Sequence, residues 1–499
     1  MAETPVSSPF SRSDWLVCLL LFAGLSSLYF ATTSGITSSN DGSHYALTRS
    51  LVENGTFALR QFDDYAEGND IAVRDGVLYS DRPPGTGLLA TLFYRLGNLL
   101  PSPLTPLPSR HDPDNPHLLY VMLLPVGAGA GTAVLLYLLL RRLGIEVAAA
   151  LTAVVMFALG TAHWKYSTVL FSHALSSFLV VLSLFLALRL HPPAASKPAK
   201  LAKWHHYFFL GLVAGYAVLV EYSNGLLVIF IALYLLWRTR PFTSQHLSRA
   251  FIPFVAGGLI PALFLAYYNG VNFGSPFTLS YTYAINYPWA GDFSTTFNYP
   301  LLAGLRSLLI FGTGDGQCDP VCYNQGLLLL SPVFWLALPG FILYWQRSWP
   351  AFLLTTAIFL SYLLLFAAHR TSHGFTADGR YLVPYFSLLA IPITYTIAWL
   401  RCQQANQPVW HPILALLVYG LFFLSFINMI FHIGFSYNYT LELGQLSDLI
   451  AAPQNWRYIA SEILGNSRNL PLLWLLEGSV LLLLIGWRQF KKTSQRIEA

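Results

Sequence analysis

Charged side chains are scarce in this sequence. Asp, Glu, Lys and Arg make up 10% of the 499 residues, whereas a soluble globular protein carries about 25%. Apolar residues make up 55%, and the mean hydropathy is +0.52. So few charges cannot cover a soluble surface, and the formal net charge of +5 is too small to indicate a nucleic-acid partner. The composition predicts a protein that lies in a membrane.

Cysteine is scarce as well, with four residues. Cys18 lies in an apolar run and Cys402 in a basic segment, whereas Cys318 and Cys322 lie close together in "GQCDPVCYNQ". Two cysteines are a weak zinc signal, so this segment predicts a local disulfide if it faces an oxidising compartment. The first apolar run, 15–31, lacks a small-residue cleavage pattern, which predicts a retained anchor rather than a signal peptide.

Long apolar runs are abundant. A helix of about 20 apolar residues crosses a bilayer. The runs therefore predict an all-α polytopic membrane protein, one domain over residues 1–499 with about 12 transmembrane helices. They lie near 14–33, 117–140, 146–163, 167–188, 206–220, 224–237, 250–268, 326–345, 349–367, 381–400, 411–432 and 470–487.

Lysine and arginine residues recur in every second turn between the predicted helices, so they lie on one side of the predicted bundle. If the N-terminus is cytoplasmic, every cytoplasmic turn is basic, as the positive-inside rule requires. The basic residues that follow this pattern are Arg141, Arg142, Arg189, Lys197, Lys200, Lys203, Arg238, Arg240, Arg249, Arg347, Arg401, Arg488, Lys491 and Lys492. We therefore expect a multi-pass protein of the cell (inner) membrane with both termini cytoplasmic and outer loops 34–116, 269–325, 368–380 and 433–469.

The first outer loop begins with "NDGSHYALTRSLVENGTF", residues 40–57. Its apolar positions recur at helical spacing, which predicts a short helix in the membrane interface that Gly55 closes. Asp41, His44 and Tyr45 share one face of that helix by their i, i+3 and i+4 spacing. Two simpler interpretations stay open, namely that Asp41 only caps the helix and that His44 is an exposed polar residue.

The stretch "DGVLYSDRPPGTGLLATLFYRLG" follows in the same loop. "DG" predicts a turn, "VLYS" a short strand, and the two prolines a second interfacial helix, about 84–97. Asp81 and Arg82 then lie at a helix N-terminus, where anions bind favourably, and the Arg82 guanidinium offers several donors to phosphate oxygens. The alternative is a plain surface ion pair.

These two motifs resemble the GT-C superfamily of polytopic glycosyltransferases, such as the aminoarabinose transferases and protein O-mannosyltransferases. The resemblance implies a GT-C-like fold and an enzyme that takes a sugar from a polyprenyl-phosphate donor on the outer side of the membrane, with a groove for the carrier lipid between its helices. It implies that Asp41 is the catalytic base, that Arg82 lies near the carrier phosphate, and that Asp81 stands where relatives often have Glu. Gly42 replaces a second acid of many relatives, which leaves one carboxylate fewer for a divalent cation, so a metal cofactor stays an open possibility.

Further polar residues fall at the predicted outer ends of helices. His173 in "FSHAL" and Glu221 in "VEYSN" are candidates for lining the same chamber, because such residues near membrane spans usually face a cavity or the protein interior. Arg380 and Tyr381 in "DGRYLVPYF" are candidates for contacting the donor phosphate or sugar, or else anchor the interface. His369, His373 and Asp378 are spaced too irregularly to be more than a weak metal signal.

The sequence therefore predicts a membrane glycosyltransferase that uses Asp41 as a base and Arg82 as the phosphate partner. The acceptor is a glycan, a lipid or a protein that the sequence does not identify. A transporter or flippase of a sugar or a lipid-linked sugar is the main alternative, although it commonly shows inverted repeats and none is visible here. A non-catalytic assembly subunit is the third possibility.

Overall fold

The computed structural model describes residues 10–103, 107, 115–192, 201–240, 243–312, 326–372, 374, 376, 378–403, 410–434 and 451–497. Helices dominate these residues. They are α1 (Arg12–Ala31), α2 (Ser39–Arg49), α3 (Gly85–Leu96), α4 (His117–Val121), α5 (Leu123–Arg142), α6 (Val147–Gly160), α7 (His163–Tyr166), α8 (Ser172–Leu190), α9 (Trp204–Val220), α10 (Gly225–Arg238), α11 (Ser244–His246), α12 (Ile252–Phe273), α13 (Phe293–Thr296), α14 (Leu301–Leu309), α15 (Leu327–Leu330), α16 (Ala337–Ala367), α17 (Phe386–Gln403), α18 (Trp410–Gly434), α19 (Pro453–Ser467) and α20 (Leu470–Ile497).

Most of these helices are apolar enough to cross a membrane. Within the described residues, seven helical segments meet the length and hydropathy of a membrane span, and four shorter helices are also apolar. The shorter ones are Val147–Gly160, Trp204–Val220, Tyr222–Arg238 and Leu470–Leu483. The prediction of a polytopic all-α membrane protein is therefore confirmed.

One of the seven segments is two helices rather than one. The backbone leaves the helical region at Ser348, with φ −152° and ψ 61°. The chain then folds back, because Phe341 and Phe352 have ring centroids only 6.2 Å apart and the Thr355 hydroxyl lies 3.3 Å from that of Tyr344. Eleven residues in a straight helix would span about 16 Å. With this turn, the apolar helices of the described residues number twelve, as predicted.

The first loop has the local structure that its turn residues predict. A two-stranded antiparallel hairpin joins β1 (Ile71–Arg74) to β2 (Val77–Ser80), and both turn residues, Asp75 and Gly76, have positive φ. This is the backbone that an Asp-Gly hairpin turn requires. Helix α2 ends in a π-helical turn, Ser50–Asn54, which Gly55 closes at φ 64°.

Helix α2 differs from the expectation in its surroundings. All nine of its residues 40–48 are buried, so the helix is enclosed by protein instead of presenting a stripe to the membrane interface. It packs against α3 and against the 3₁₀ turn Arg60–Ala66.

Several loops meet at the end of the bundle that carries the first loop. Gly35 forms a bridge with Val169, Ala72 forms one with Ala284, and the Arg370 amide donates to the Thr296 carbonyl at 2.8 Å. These contacts join segments that are far apart in the chain into one layer over the helix ends. The candidate functional residues lie in or beside this layer.

Candidate functional site

The hairpin places an acid on each side of Arg82. Asp70 precedes β1 and Asp81 follows β2, so the register that pairs Ile71 with Ser80 brings the two acids together. The guanidinium of Arg82 forms an ion pair with Asp70 through one terminal nitrogen, and its Nε lies 3.1 Å from Asp81 Oδ1. Arg82 thus lies between two acidic side chains, of which Asp70 was not predicted from the sequence.

Helix α2 holds Asp70 in place. The Ser39 hydroxyl donates to Asp70 Oδ2 at 2.5 Å, and the Ser43 hydroxyl donates to the Asp70 carbonyl at 2.7 Å. Ser43 also lies 2.7 Å from the hydroxyl of Ser80 in β2. The position of Arg82 therefore depends on the first turns of α2.

Asp41 stabilises that first turn. It occupies the third position of α2, and its carboxylate accepts five hydrogen bonds, from the amides and hydroxyls of Thr37 and Ser38 and from the amide of Gly42. Ser38, rather than Asp41, is the N-cap residue. Burial raises the pKa of Asp41 to about 6, although the bonds from Thr37 and Ser38 lower it.

Gly42 lies against the backbone of the neighbouring turn. A Cβ atom at this position would collide with the carbonyl oxygen of Tyr65. A side chain is therefore excluded at position 42, so this fold has no room for a second acid directly after Asp41.

Arg380 is a second guanidinium in the same region. Its central carbon lies 5.4 Å from the ring centroid of Phe171 and 5.6 Å from that of Tyr381. Among the described residues it forms no ion pair, and its Nε is buried without a hydrogen-bond acceptor. Tyr381 stacks on Phe366 at 5.2 Å.

Asp81 lies within electrostatic range of both guanidinium groups. Burial raises its pKa to about 8, and the positive charge of Arg380 opposes that rise. Both carboxylate oxygens lack a hydrogen-bond partner among the described residues. Four tyrosines also lie within electrostatic range of Asp81, namely Tyr222, Tyr268, Tyr281 and Tyr287.

Two histidines complete the group. His44 is fully buried, and burial together with the charges of Arg82 and His173 lowers its pKa to about 3. His173 Nδ1 lies 2.7 Å from Glu221 Oε1. The structure thus gathers seven of the nine predicted site residues in one region: His44, Asp81, Arg82, His173, Glu221, Arg380 and Tyr381.

The other two predicted residues have different surroundings. Asp41 faces its own helix turn, as described above. Tyr45 packs edge-on against Tyr65 at 5.1 Å, lies 6.2 Å from Tyr94 and is within electrostatic range of Arg49. Adjacent residues of a helix point in different directions, which is why His44 approaches Arg82 and Tyr45 does not.

The two described residues of the weak metal signal, His369 and Asp378, do not come together either. His369 contacts the rings of Trp289, Phe297 and Tyr381, whereas Asp378 pairs with Lys165. Within the described part of the chain, no three His, Cys, Asp or Glu side chains come together as metal ligands. His373, Cys318 and Cys322 lie outside the described residues.

A second buried cluster of charges was not predicted. Asp378 Oδ2 lies 3.0 Å from Lys165 Nζ and 2.8 Å from His432 Nε2, while the hydroxyls of Tyr166 and Thr376 donate to Oδ1 at 2.9 and 2.6 Å. Burial raises the pKa of Asp378, but Lys165 and His432 outweigh burial and hold that pKa well below its ordinary range. We call these five residues the Asp378 cluster.

A family model matches part of this sequence, and solved structures share the fold over most of the chain. The family model described as "Dolichyl-phosphate-mannose-protein mannosyltransferase" matches residues 92–274. That stretch contains His173 and Glu221, whereas Asp41 and Arg82 precede it. No curated protein sequence matches the chain.

Two solved structures share the architecture at low identity. ArnT from Cupriavidus metallidurans, bound to undecaprenyl phosphate, is 13% identical with a TM-score of 0.51, over 92% of this chain and 77% of that one. The archaeal oligosaccharyltransferase AglB from Archaeoglobus fulgidus, in complex with an inhibitory peptide and a dolichol-phosphate, is 12% identical with a TM-score of 0.54, over 91% of this chain and 59% of that one. These two likenesses show that the chain has the fold of these polytopic membrane proteins, the fold that the motifs of its first loop predicted.

Proposed function

We propose that this glycosyltransferase moves a sugar from a polyprenyl-phosphate donor to an acceptor hydroxyl. The observation that carries the proposal is the pair of guanidinium groups, Arg82 and Arg380, of which the first contacts the buried Asp81 and the second lies within electrostatic range of it. Two planar cations in a largely buried site suit a phosphate group. ArnT and AglB, which share the fold, are bound to undecaprenyl phosphate and dolichol-phosphate respectively.

The two arginines have different parts in this mechanism. Arg82 is already paired with Asp70, so it presents its remaining donors in a fixed direction. Arg380 has no carboxylate partner among the described residues, so its charge is less compensated. When the bond between the anomeric carbon and the phosphate breaks, negative charge grows on the phosphate oxygen, and Arg380 stabilises it.

Asp81 adds a hydrogen-bond donor to this site. With its pKa at about 8, most of the carboxyl is protonated at neutral pH. A protonated carboxyl donates one hydrogen bond, whereas a carboxylate only accepts and repels a phosphate. Asp81 therefore contributes to donor binding in its neutral form.

Asp41 has a positioning role in the proposal. The carboxylate anchors the turn whose Ser39 holds Asp70, and Asp70 in turn orients Arg82. A base needs a free lone pair directed at the proton that it accepts, and five donors surround this carboxylate. The assignment of Asp41 as the base stays a prediction from the sequence.

The proposed orientation places the site on the outer face of the inner membrane, with both termini in the cytoplasm. Its support is the distribution of basic residues along the sequence. In a chain whose own cysteines are replaced by serine, a cysteine introduced at the exposed Glu67 should react with an impermeant reagent added to intact cells, and one at the exposed Lys203 should not. The reverse pattern would invert the orientation.

The activity is tested with the purified protein and a polyprenyl-phosphate sugar. We expect release of the free carrier phosphate to require both the acceptor and an intact Arg380. Arg401→Ala is the matched control, because Arg401 pairs with Glu146 at the opposite end of the bundle. If no sugar donor releases carrier while lipid-linked sugar crosses the bilayer of proteoliposomes, the chain is a transporter. If Arg380→Ala is as active as Arg401→Ala, the phosphate site lies elsewhere.

A further inference from the structure

His173 is oriented by an acid. Its Nδ1 lies 2.7 Å from Glu221 Oε1, and the Ser172 hydroxyl donates to the same oxygen at 2.7 Å. A carboxylate only accepts hydrogen bonds, so Nδ1 carries the proton and donates it. In a neutral imidazole, Nε2 is then left with a lone pair.

That lone pair is buried and has no partner among the described residues. His173 is 6% exposed, and its ring packs edge-on against Tyr166 at 4.9 Å and Phe171 at 5.8 Å. Buried nitrogen atoms are normally hydrogen-bonded in folded proteins. The oriented imidazole of His173 therefore has an acceptor that is available to a donor from another molecule.

The dyad lies beside the proposed phosphate site. His44 is within electrostatic range of both His173 and Arg82, and its own two ring nitrogens are also buried without partners. Arg380 lies over Phe171, the residue that precedes the N-terminus of α8. The unpartnered atoms on His44, His173 and Asp81 thus border one polar region that contains both arginines.

We infer that His173, oriented by Glu221, is the catalytic base that accepts the proton of the acceptor hydroxyl. The inference rests on the proposed function and names a base other than Asp41. The acceptor oxygen forms a bond to the anomeric carbon of the sugar, and the bond from that carbon to the phosphate oxygen breaks. The electron pair leaves with the carrier phosphate, and the hydroxyl proton moves to His173 Nε2. Glu221 stabilises the imidazolium that forms.

The first test compares His173→Gln with Asp41→Asn in the carrier-release assay. We expect His173→Gln to lower kcat by about 10²–10⁴-fold, as loss of a general base does, and to leave KM for the donor within a few-fold. His163→Gln is the matched control, since His163 is also buried and has one unpartnered ring nitrogen, but its Nε2 donates to the Gly129 carbonyl at 3.1 Å and it lies outside the site. It should keep the wild-type kcat.

A second test separates a base from a packing residue. Imidazole added to His173→Gly should restore part of the turnover and should leave His163→Gln unchanged.

Glu221→Gln keeps an acceptor for Nδ1 but removes the negative charge, so the acid limb of the kcat profile should move to lower pH. The other ionisable groups around the ring are His44, Tyr166 and Arg380, which these variants leave intact.

The outcomes distinguish the inference from the proposed function. If the wild type releases no carrier from any lipid-phosphate sugar, the proposed function fails. If the wild type turns over and His173→Gln retains kcat within a few-fold, only the inference fails. A loss of kcat in His173→Gln without imidazole rescue and without an altered pH profile in Glu221→Gln would assign His173 to packing and overturn it as well.

Discussion

Asp378 and Arg380 are two residues apart, yet they belong to two buried clusters with opposite properties. In the Asp378 cluster, both carboxylate oxygens accept hydrogen bonds or ion-pair contacts. In the Arg380 region, atoms of Arg380, Asp81, His44 and His173 are buried without partners among the described residues. An unpartnered buried polar group costs about 1–3 kcal/mol. The Asp378 cluster is satisfied within the fold, whereas in the proposed function a bound donor and acceptor supply the partners that the Arg380 region lacks.

Breaking the Asp378 cluster should have the largest effect on stability. Lys165→Met leaves a buried carboxylate without its cation, which costs about 3–5 kcal/mol. Unfolding in detergent micelles should show this loss, and the double variant Lys165→Met/Asp378→Leu should recover most of it because both charges are then gone. A loss below about 1 kcal/mol for the single variant would mean that the cluster contributes little.

Removing Arg380 should have the next largest effect, and on activity instead of stability. Arg380→Ala should lower kcat/KM by about 10²–10³-fold, the usual effect of losing one donor at a developing charge. Its unfolding should change little, since Arg380 forms no ion pair with the described residues. Arg380→Lys should fall between, because an ammonium keeps the charge without the planar fork. If Arg380→Ala loses as much unfolding free energy as Lys165→Met, the contrast between the two clusters fails.

Asp41→Asn tests whether Asp41 stabilises the fold or acts in the reaction. As an anchor of α2, its loss should cost about 0.5–2 kcal/mol of stability, with a small decrease in turnover. As the base, its loss should lower kcat by about 10²–10⁴-fold while stability is nearly unchanged. Unfolding and carrier release measured on the same preparation decide between the two.

The smallest expected effect is the pH dependence of donor binding. Asp81 has a raised pKa of about 8, so it is mostly neutral below that pH and ionises as the pH rises through it. The negative charge then repels the phosphate, and KM for the donor should rise several-fold between pH 7 and pH 9. In Asp81→Asn this rise should disappear. A wild-type KM that stays flat across this range would show that Asp81 does not titrate there.

The features that the sequence predicted are local ones. Hydropathy marks a membrane helix within one window, and Asp75 and Gly76 specify a hairpin turn without reference to the rest of the chain. The helix after Pro83 and Pro84 follows from proline geometry for the same reason. Each of these elements is determined by residues that are adjacent in the chain, so a single sequence is enough to predict it.

The features that it missed depend on long-range contacts. Asp70 pairs with Arg82 only because of the hairpin register, and Lys165 meets Asp378 across 213 positions. Nothing in either local stretch marks the partner. One signal was available, because Asp70 lies five residues before the predicted Asp-Gly turn, and the strand predicted after that turn leads to Arg82. Weighing the two ends of the hairpin together would have suggested that pair.

The contact between Gly42 and the Tyr65 carbonyl has a consequence for how this chain can change over evolutionary time. A mutation that restored the second acid of the motif would have to place a side chain where the backbone of another turn already lies. The turn would need to be remodelled first, and that change alone brings no benefit. No single substitution can therefore bring a second acid directly after Asp41 in this fold.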